Sequence, residues 1–427
     1  MMENQNKVMS RKVIPPGYKL TEVGVIPEDW LLQKLGLHAS FRTGPFGSAL
    51  HKSDYVDGGI PVVNPMQIVD GKVVPTFSMA ISGDAAKKLA EFRLSVGDVV
   101  IGRRGDMGRC AVITEKENGW LCGTGSMIIR VKPSCDAAFL QRILSSASVI
   151  SAIENTSVGT TMINLNQGTL RELQIVLPEN KNEQIAIANA LSDTDELIAI
   201  LEHLIAKKQS IKTATMQQLL TGRTRLPQFA KHPDGTIKGY KSGELGHIPE
   251  DWEEREIGKF APLQRGFDLP ASKRSEGLYP VVYSNGIVNT HNHFQVKGPG
   301  VVTGRSGTLG KVHHIACDFW PHNTSLWVTK FINSDSKFVY YIFKYIGFER
   351  FASGSGVPTL NRNDAHSFKV AIPSSLKEQT AIATILSDMD AELTVLEKKL
   401  SKIRNIKQGM MQQLLTGRIR LPLDNQP

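Results

Sequence analysis

The sequence has no run of 18 or more apolar residues, and its opening stretch, MMENQNKVMSRKVIPPGYKL, lacks the apolar core of a secretory signal. A membrane-spanning helix and export are both disfavoured, so a cytoplasmic chain is expected. Cysteine is scarce: Cys110, Cys122, Cys135 and Cys317 form no C-x-x-C pair. A chain of 427 residues can bury a core without covalent staples, so reduced cysteines are expected rather than disulfides or a zinc site. Negative charge is in deficit, with 41 Asp and Glu against 50 Lys and Arg. The resulting net charge of +9 favours a polyanionic partner without proving one.

Catalytic signatures are missing as well. An adenine methyltransferase needs Asn or Asp, two prolines and an aromatic to hold and stack a flipped base. The stretch NPMQ at 64–67 has only the first two, and reads as a turn. The loops GRRGDMG (102–108) and GRSGTLG (304–310) space glycines as G-x-x-G-x-x-G, which is neither the dinucleotide fingerprint nor the P-loop. They are read as tight turns or as loops whose backbone approaches phosphate. Histidines at 291, 293, 313, 314 and 322 fit no standard metal spacing, so no metal is expected.

What the sequence does contain is itself, twice. Residues 183–227 align without a gap on 378–422 at an offset of 195, and 25 of the 45 positions are identical. A leader, GYKLTEVGVIPEDW at 17–30, returns as GYKSGELGHIPEDW at 239–252, at an offset of 222. The offsets differ by 27, so the first variable region is 27 residues longer. Within those regions VVIGRRGDMGR (99–109) parallels VVTGRSGTLGK (301–311), and SVGTTMINLNQ (157–167) loosely parallels GSGVPTLNRND (354–364). A shared fold presenting different loop residues is expected.

From Glu183 the sequence has neither Pro nor Gly until Gly222, and both repeats carry a 3-4 apolar spacing. The expected seam is Leu191, Ile198, Leu201, Ile205 and Leu219 in the first helix, and Leu386, Leu393, Leu396, Leu400 and Leu414 in the second, with Lys208, Lys212 and Lys407 among them. Two such seams in one chain can pair antiparallel if it folds back; the alternative is that each helix packs only on its own domain. Gly222 and Gly417 read as left-handed helix caps. A helix of about 38 residues is roughly 57 Å long, comparable to about 16 base pairs of duplex.

The doubled leader, the doubled helix start EQ-x-AIA-x-x-L-S-D-x-D and the doubled end MQQLLTGR-x-RLP together resemble the specificity subunit of type I restriction-modification systems, from Gly17 to Pro422. The resemblance implies an α+β chain with two similar target recognition domains and two long antiparallel coiled-coil spacer helices in a pseudo-twofold repeat. It divides the chain into leader and first recognition domain (1–182), spacer helix (183–222), linker and second leader (223–245), second recognition domain (246–377), spacer helix (378–417) and tail (418–427). The leaders are expected to pack at the helix ends.

It also implies a non-catalytic chain that reads one half of a bipartite, asymmetric double-stranded DNA target with each domain. Two modification subunits, which methylate adenine with S-adenosylmethionine, would dock on the helices and carry restriction subunits that use ATP and Mg2+. A standalone methylation complex, or a bifunctional restriction-methylation partner, would fit the same sequence. A lone methyltransferase or nuclease, or a coiled-coil scaffold that binds no DNA, would fit it less well.

Base reading calls for Arg or Lys at guanine, Asn or Gln at adenine, and small residues for close approach. In the first region the candidates are Arg42, Thr43, Ser48, Lys52, Arg103, Arg104, Arg109, Thr160, Thr161 and Asn164. In the second they are Arg265, Ser284, Asn285, Arg305, Lys311, His322, Asn323, Asn361 and Arg362. They are stronger as groups than singly, because any one of them could be an ordinary solvated loop residue.

Overall fold

The computed structural model describes residues 14–46, 49–155, 164–353 and 359–422. They form two compact units, one drawn from Met1–Ile200 and Ser401–Pro427, the other from Leu201–Leu400. The first long helix runs from the first unit into the second, and the other long helix from the second into the first. Each is shared, its start built into the core of the recognition domain it follows and its end into that of the other unit.

In the first unit a leader hairpin pairs Tyr18–Thr21 with Gly24–Pro27, and Trp30–Lys34 then pairs antiparallel with Gln174–Pro178, Trp30 opposite Pro178. The recognition domain is a four-stranded antiparallel sheet in the order Cys110–Val112, Asp98–Gly102, Ser126–Val131, Ala39–Thr43. Its second strand, DVVIG, is buried throughout, as expected of a β-branched run covered on both faces. A smaller sheet places Tyr55–Val63 between Leu121–Cys122, parallel to it, and Ala80–Ile81, antiparallel.

The second unit repeats this plan. Trp252–Glu256 pairs with Lys369–Pro373, and the four-stranded sheet runs Leu263–Arg265, Ser325–Val328, Gly300–Gly304, Val312–Ile315. Tyr279–Tyr283 lies parallel to Trp320–Pro321 and antiparallel to Gly286–His291. The extra length of the first region includes the helix Gly83–Lys88, for which the second has no counterpart between Tyr283 and Gly300.

The long helices run Lys181–Leu220 and Leu376–Leu414, beginning two residues before the expected starts and ending before the glycines. At the first start the Asn180 side chain accepts from the Asn182 amide at 2.9 Å. At the ends Gly222 and Gly417 adopt φ of 70° and 68°, a left-handed turn that terminates the helix. Leu191, Leu201, Leu219, Leu386, Leu393 and Leu414 are buried, while Ile198, Ile205, Leu396 and Leu400 are half-buried. In unit one Lys407 pairs with Asp195 at 2.5 Å and Thr194 bonds Met410. In unit two Lys208 meets Glu392 at 2.6 Å and Lys212 meets Asp390. Numbers rise on one helix as they fall on the other, so the pairing inside each unit is antiparallel. The lysines in the seam stand there because the facing helix supplies a carboxylate.

Each helix end is gripped by a leader. In unit one the Tyr18 hydroxyl donates to the Gly417 carbonyl at 3.1 Å, and Arg420 binds Asp29 at 2.9 Å and Glu183 at 2.7 Å while lying over Trp30. In unit two the Tyr240 hydroxyl donates to the Gly222 carbonyl at 3.1 Å, and Arg225 binds Asp251 and Glu378 at 2.8 Å each while lying over Trp252. Buried Gln184 and Gln379 pin the helix starts: their amides donate to Pro178 and Pro373 at 2.9 and 2.8 Å and accept from the Asp136 and Asp335 amides at 2.8 and 2.9 Å.

Candidate nucleic-acid interface

Among the described residues of both units, the segments at one end of the four-stranded sheet are fixed by the same backbone bonds, and they carry candidate readers. Gly44 N donates to Ser126 O and Gly266 N to Ser325 O, both at 3.0 Å. Arg103 N donates to Gly125 O at 2.9 Å, and Arg305 N to Thr324 O at 2.8 Å. Leu165 N reaches Arg103 O at 2.9 Å, as Leu360 N reaches Arg305 O at 2.8 Å. Gly123 N and His322 N donate to Val63 O and Val282 O, each at 2.9 Å. Hydrogen bonds between main-chain groups carry no side-chain information, so different loop sequences can sit on one scaffold.

The glycine loops are turns by necessity: Gly105, Gly108, Gly307 and Gly310 all hold φ between 81° and 83°, where any side chain is strained. They leave Arg104, Arg109 and Lys311 exposed. Arg109 pairs with Asp106. Arg103 is held back, its Nε donating to Leu165 O at 3.0 Å and a terminal nitrogen to Asn164 at 3.3 Å. Burial and the neighbouring charge of Arg104 lower its pKa, so an incoming anion would relieve the site.

Arg42 lies on the strand Ala39–Thr43 and is paired with Glu91; the Thr43 hydroxyl is hydrogen-bonded to Gln167 at 3.1 Å. Lys52 opens a short 3-10 helix. Ser48, Thr160 and Thr161 lie outside the described residues. In unit two Arg265 pairs with Asp268 at 3.2 Å, and Asn323 donates to the same carboxylate. The His322 ring packs on Tyr283 at 4.2 Å and bonds the Thr324 hydroxyl at 3.1 Å. Burial lowers its pKa, favouring the neutral ring, which can both donate and accept. Ser284 is buried beside Thr324, while Asn285 is exposed on the turn. Asn361 caps the helix Arg362–His366, accepting from Asn363 N at 3.0 Å, and Arg362 is exposed.

Sequence reasoning passed over the grip residues Asp29, Glu183, Asp251, Glu378 and Arg420, though each sits inside a stretch that recurs at an offset of 195 or 222. Arg225, which could be mistaken for a DNA-binding residue, is bound on both sides by carboxylates. Among the described residues no His, Cys, Asp and Glu group is arranged to hold a metal, and no helix is long and apolar enough to cross a membrane.

Comparison with known proteins accords with the doubled geometry. A specificity subunit of the MjaX type I restriction enzyme of Methanocaldococcus jannaschii is 27% identical, over 95% of this chain and 97% of its own. The MjaVIII specificity subunit of the same organism is 21% identical, over 93% and 94%. A crystal structure of the S subunit of a type I restriction-modification system from M. genitalium shares the fold with a TM-score of 0.60 at 21% identity, covering 90% of this chain and 96% of that one. The type I restriction modification DNA specificity domain matches twice, at residues 41–209 and 249–405, and the chain belongs to that family, as a specificity subunit of a type I restriction-modification system.

Proposed function

We propose that each unit reads one half of a bipartite, asymmetric duplex DNA target and that the long helices set the gap between the halves. One observation carries this reading: two loop clusters of different sequence stand on backbone scaffolds that match bond for bond. A repeated scaffold with divergent tips suits two readers of unlike sequences. Helices of 40 and 39 residues are long enough to span more than one turn of duplex.

The same helices would dock two copies of an adenine-modifying subunit. Ile200 and Ile211 on the first helix recur as Val395 and Ile406 on the second, all four exposed and apolar. Identical partners need equivalent patches, and these positions offer them. S-adenosylmethionine would then be bound by those partners, and ATP with Mg2+ by restriction subunits attached through them. The test is titration of the full chain, with its modification partner, against target duplex at several salt concentrations. A steep loss of affinity as salt rises, together with two partners per chain, is expected. Binding that ignores salt, or one partner per chain, would overturn the proposal.

A further inference from the structure

We propose that Met66 is a base-contacting residue of the first unit and that it reads the 5-methyl group of a thymine. The inference rests on the DNA-recognition reading and adds a chemical partner to one side chain. Met66 is 80% exposed, yet it stands on a turn that is tightly fixed. Gln67 N donates to Asn64 O at 3.0 Å, Asn64 N to Gln67 Oε1 at 3.1 Å, Gln67 Nε2 to Thr76 at 3.2 Å and Gly125 N to Asn64 Oδ1 at 3.3 Å. Pro65 fills the space above Gly102 and Gly125, where added Cβ atoms would come within 3.2 and 2.8 Å of its ring. An unbranched apolar side chain is thus presented outward on a rigid base, beside the loop of Arg103 and Arg104.

The strand pairing identifies its counterpart. Cys122 lies opposite Val63 as Pro321 lies opposite Val282, so Asn64, Pro65 and Met66 occupy the places of Tyr283, Ser284 and Asn285. Asn at such a place suits adenine, whereas a thioether makes no bidentate bond. The apolar group that base edges offer in the major groove is the thymine methyl. The flanking arginines supply complementarity to phosphate, so duplex DNA is the partner of this tip rather than a protein.

The experiment compares wild type, Met66→Ala and Val96→Ala, an exposed apolar residue before the opposite end of strand Asp98–Gly102, in the assembled complex. Each binds target duplex in which the thymines of one half-site are replaced by deoxyuridine. In one half-site the replacement should weaken wild type and Val96→Ala by about fourfold, the worth of one buried methyl, and leave Met66→Ala unchanged. In the other half-site all three should respond alike. Met66→Ala losing as much as wild type in both half-sites overturns the inference while leaving DNA recognition intact. Failure of wild type to bind unmodified duplex overturns the reading beneath it.

Discussion

The two units share a grip but not its surroundings. In unit two Arg225 is 6% exposed, and Gly222 accepts from Tyr240, a leader residue only 18 positions away. Lys238 adds a further bond to Asp251 at 2.8 Å. In unit one Arg420 is 38% exposed and closes a contact between residues 399 apart, Tyr18 and Gly417. One local geometry is built once from sequence neighbours and once from opposite ends of the chain. Closing a longer loop costs more entropy, though the cost grows only logarithmically. The difference in burial therefore matters more than the difference in separation, and the first unit has the weaker clasp.

The largest test of that contrast is Arg225→Ala, which removes a guanidinium only 6% exposed and strands Glu378, 2% exposed, without its partner. It should destabilise the protein by about 3–5 kcal/mol; Arg420→Ala strands an equally buried Glu183 but removes a guanidinium already 38% exposed and a contact to Asp29, 61% exposed, and should cost about 1.5–3 kcal/mol. Denaturant unfolding of the two variants would rank them, and equal or reversed losses would break the comparison. Next come the readers. Arg103→Ala and Arg305→Ala should each weaken binding to target duplex by about 1–3 kcal/mol at fixed salt, each relaxing selectivity in a different half-site; unchanged affinity would remove the residue from the interface.

The smallest effect concerns pH. The hydrogen bond from Arg420 holds the Asp29 carboxyl below its usual range. A depressed folded value means stabilisation present above the unfolded pKa of about 3.9 and lost as pH falls through the folded value. Because Asp29 is 61% exposed, Asp29→Asn should cost under about 1 kcal/mol near neutrality. That cost should fade below about pH 4; a penalty that persists in acid would show that the carboxylate charge is not what Arg420 uses.

The frame was legible in the sequence because it is repeated. The alignment at an offset of 195 marks both long helices and, through the 3-4 spacing, the leucines of their seams. The packing of the leaders at the helix ends was legible too, and Leu414 joins Trp30 in one core as Leu219 joins Trp252 in the other; that the start of the opposite helix, at Leu191 and Leu386, enters the same cores is a contact that no local pattern encodes. Arg225 shows the same gap: its recurrence at 420 sets it apart from the readers, but no local spacing reveals that Asp251 and Glu378 surround it. At the tips the glycine turns were legible, but base contacts depend on where side chains emerge. Met66 lies in the NPMQ stretch, which reads as a turn and is one, with its apolar member facing outward.

The most direct test is sequencing that detects methylated adenine in DNA from cells expressing this chain with its modification partner. Two unlike half-sites separated by a gap of constant length are predicted, with substitutions at the Arg103 loop and the Arg305 loop altering opposite halves. A single continuous palindrome would contradict the two-reader arrangement at its root.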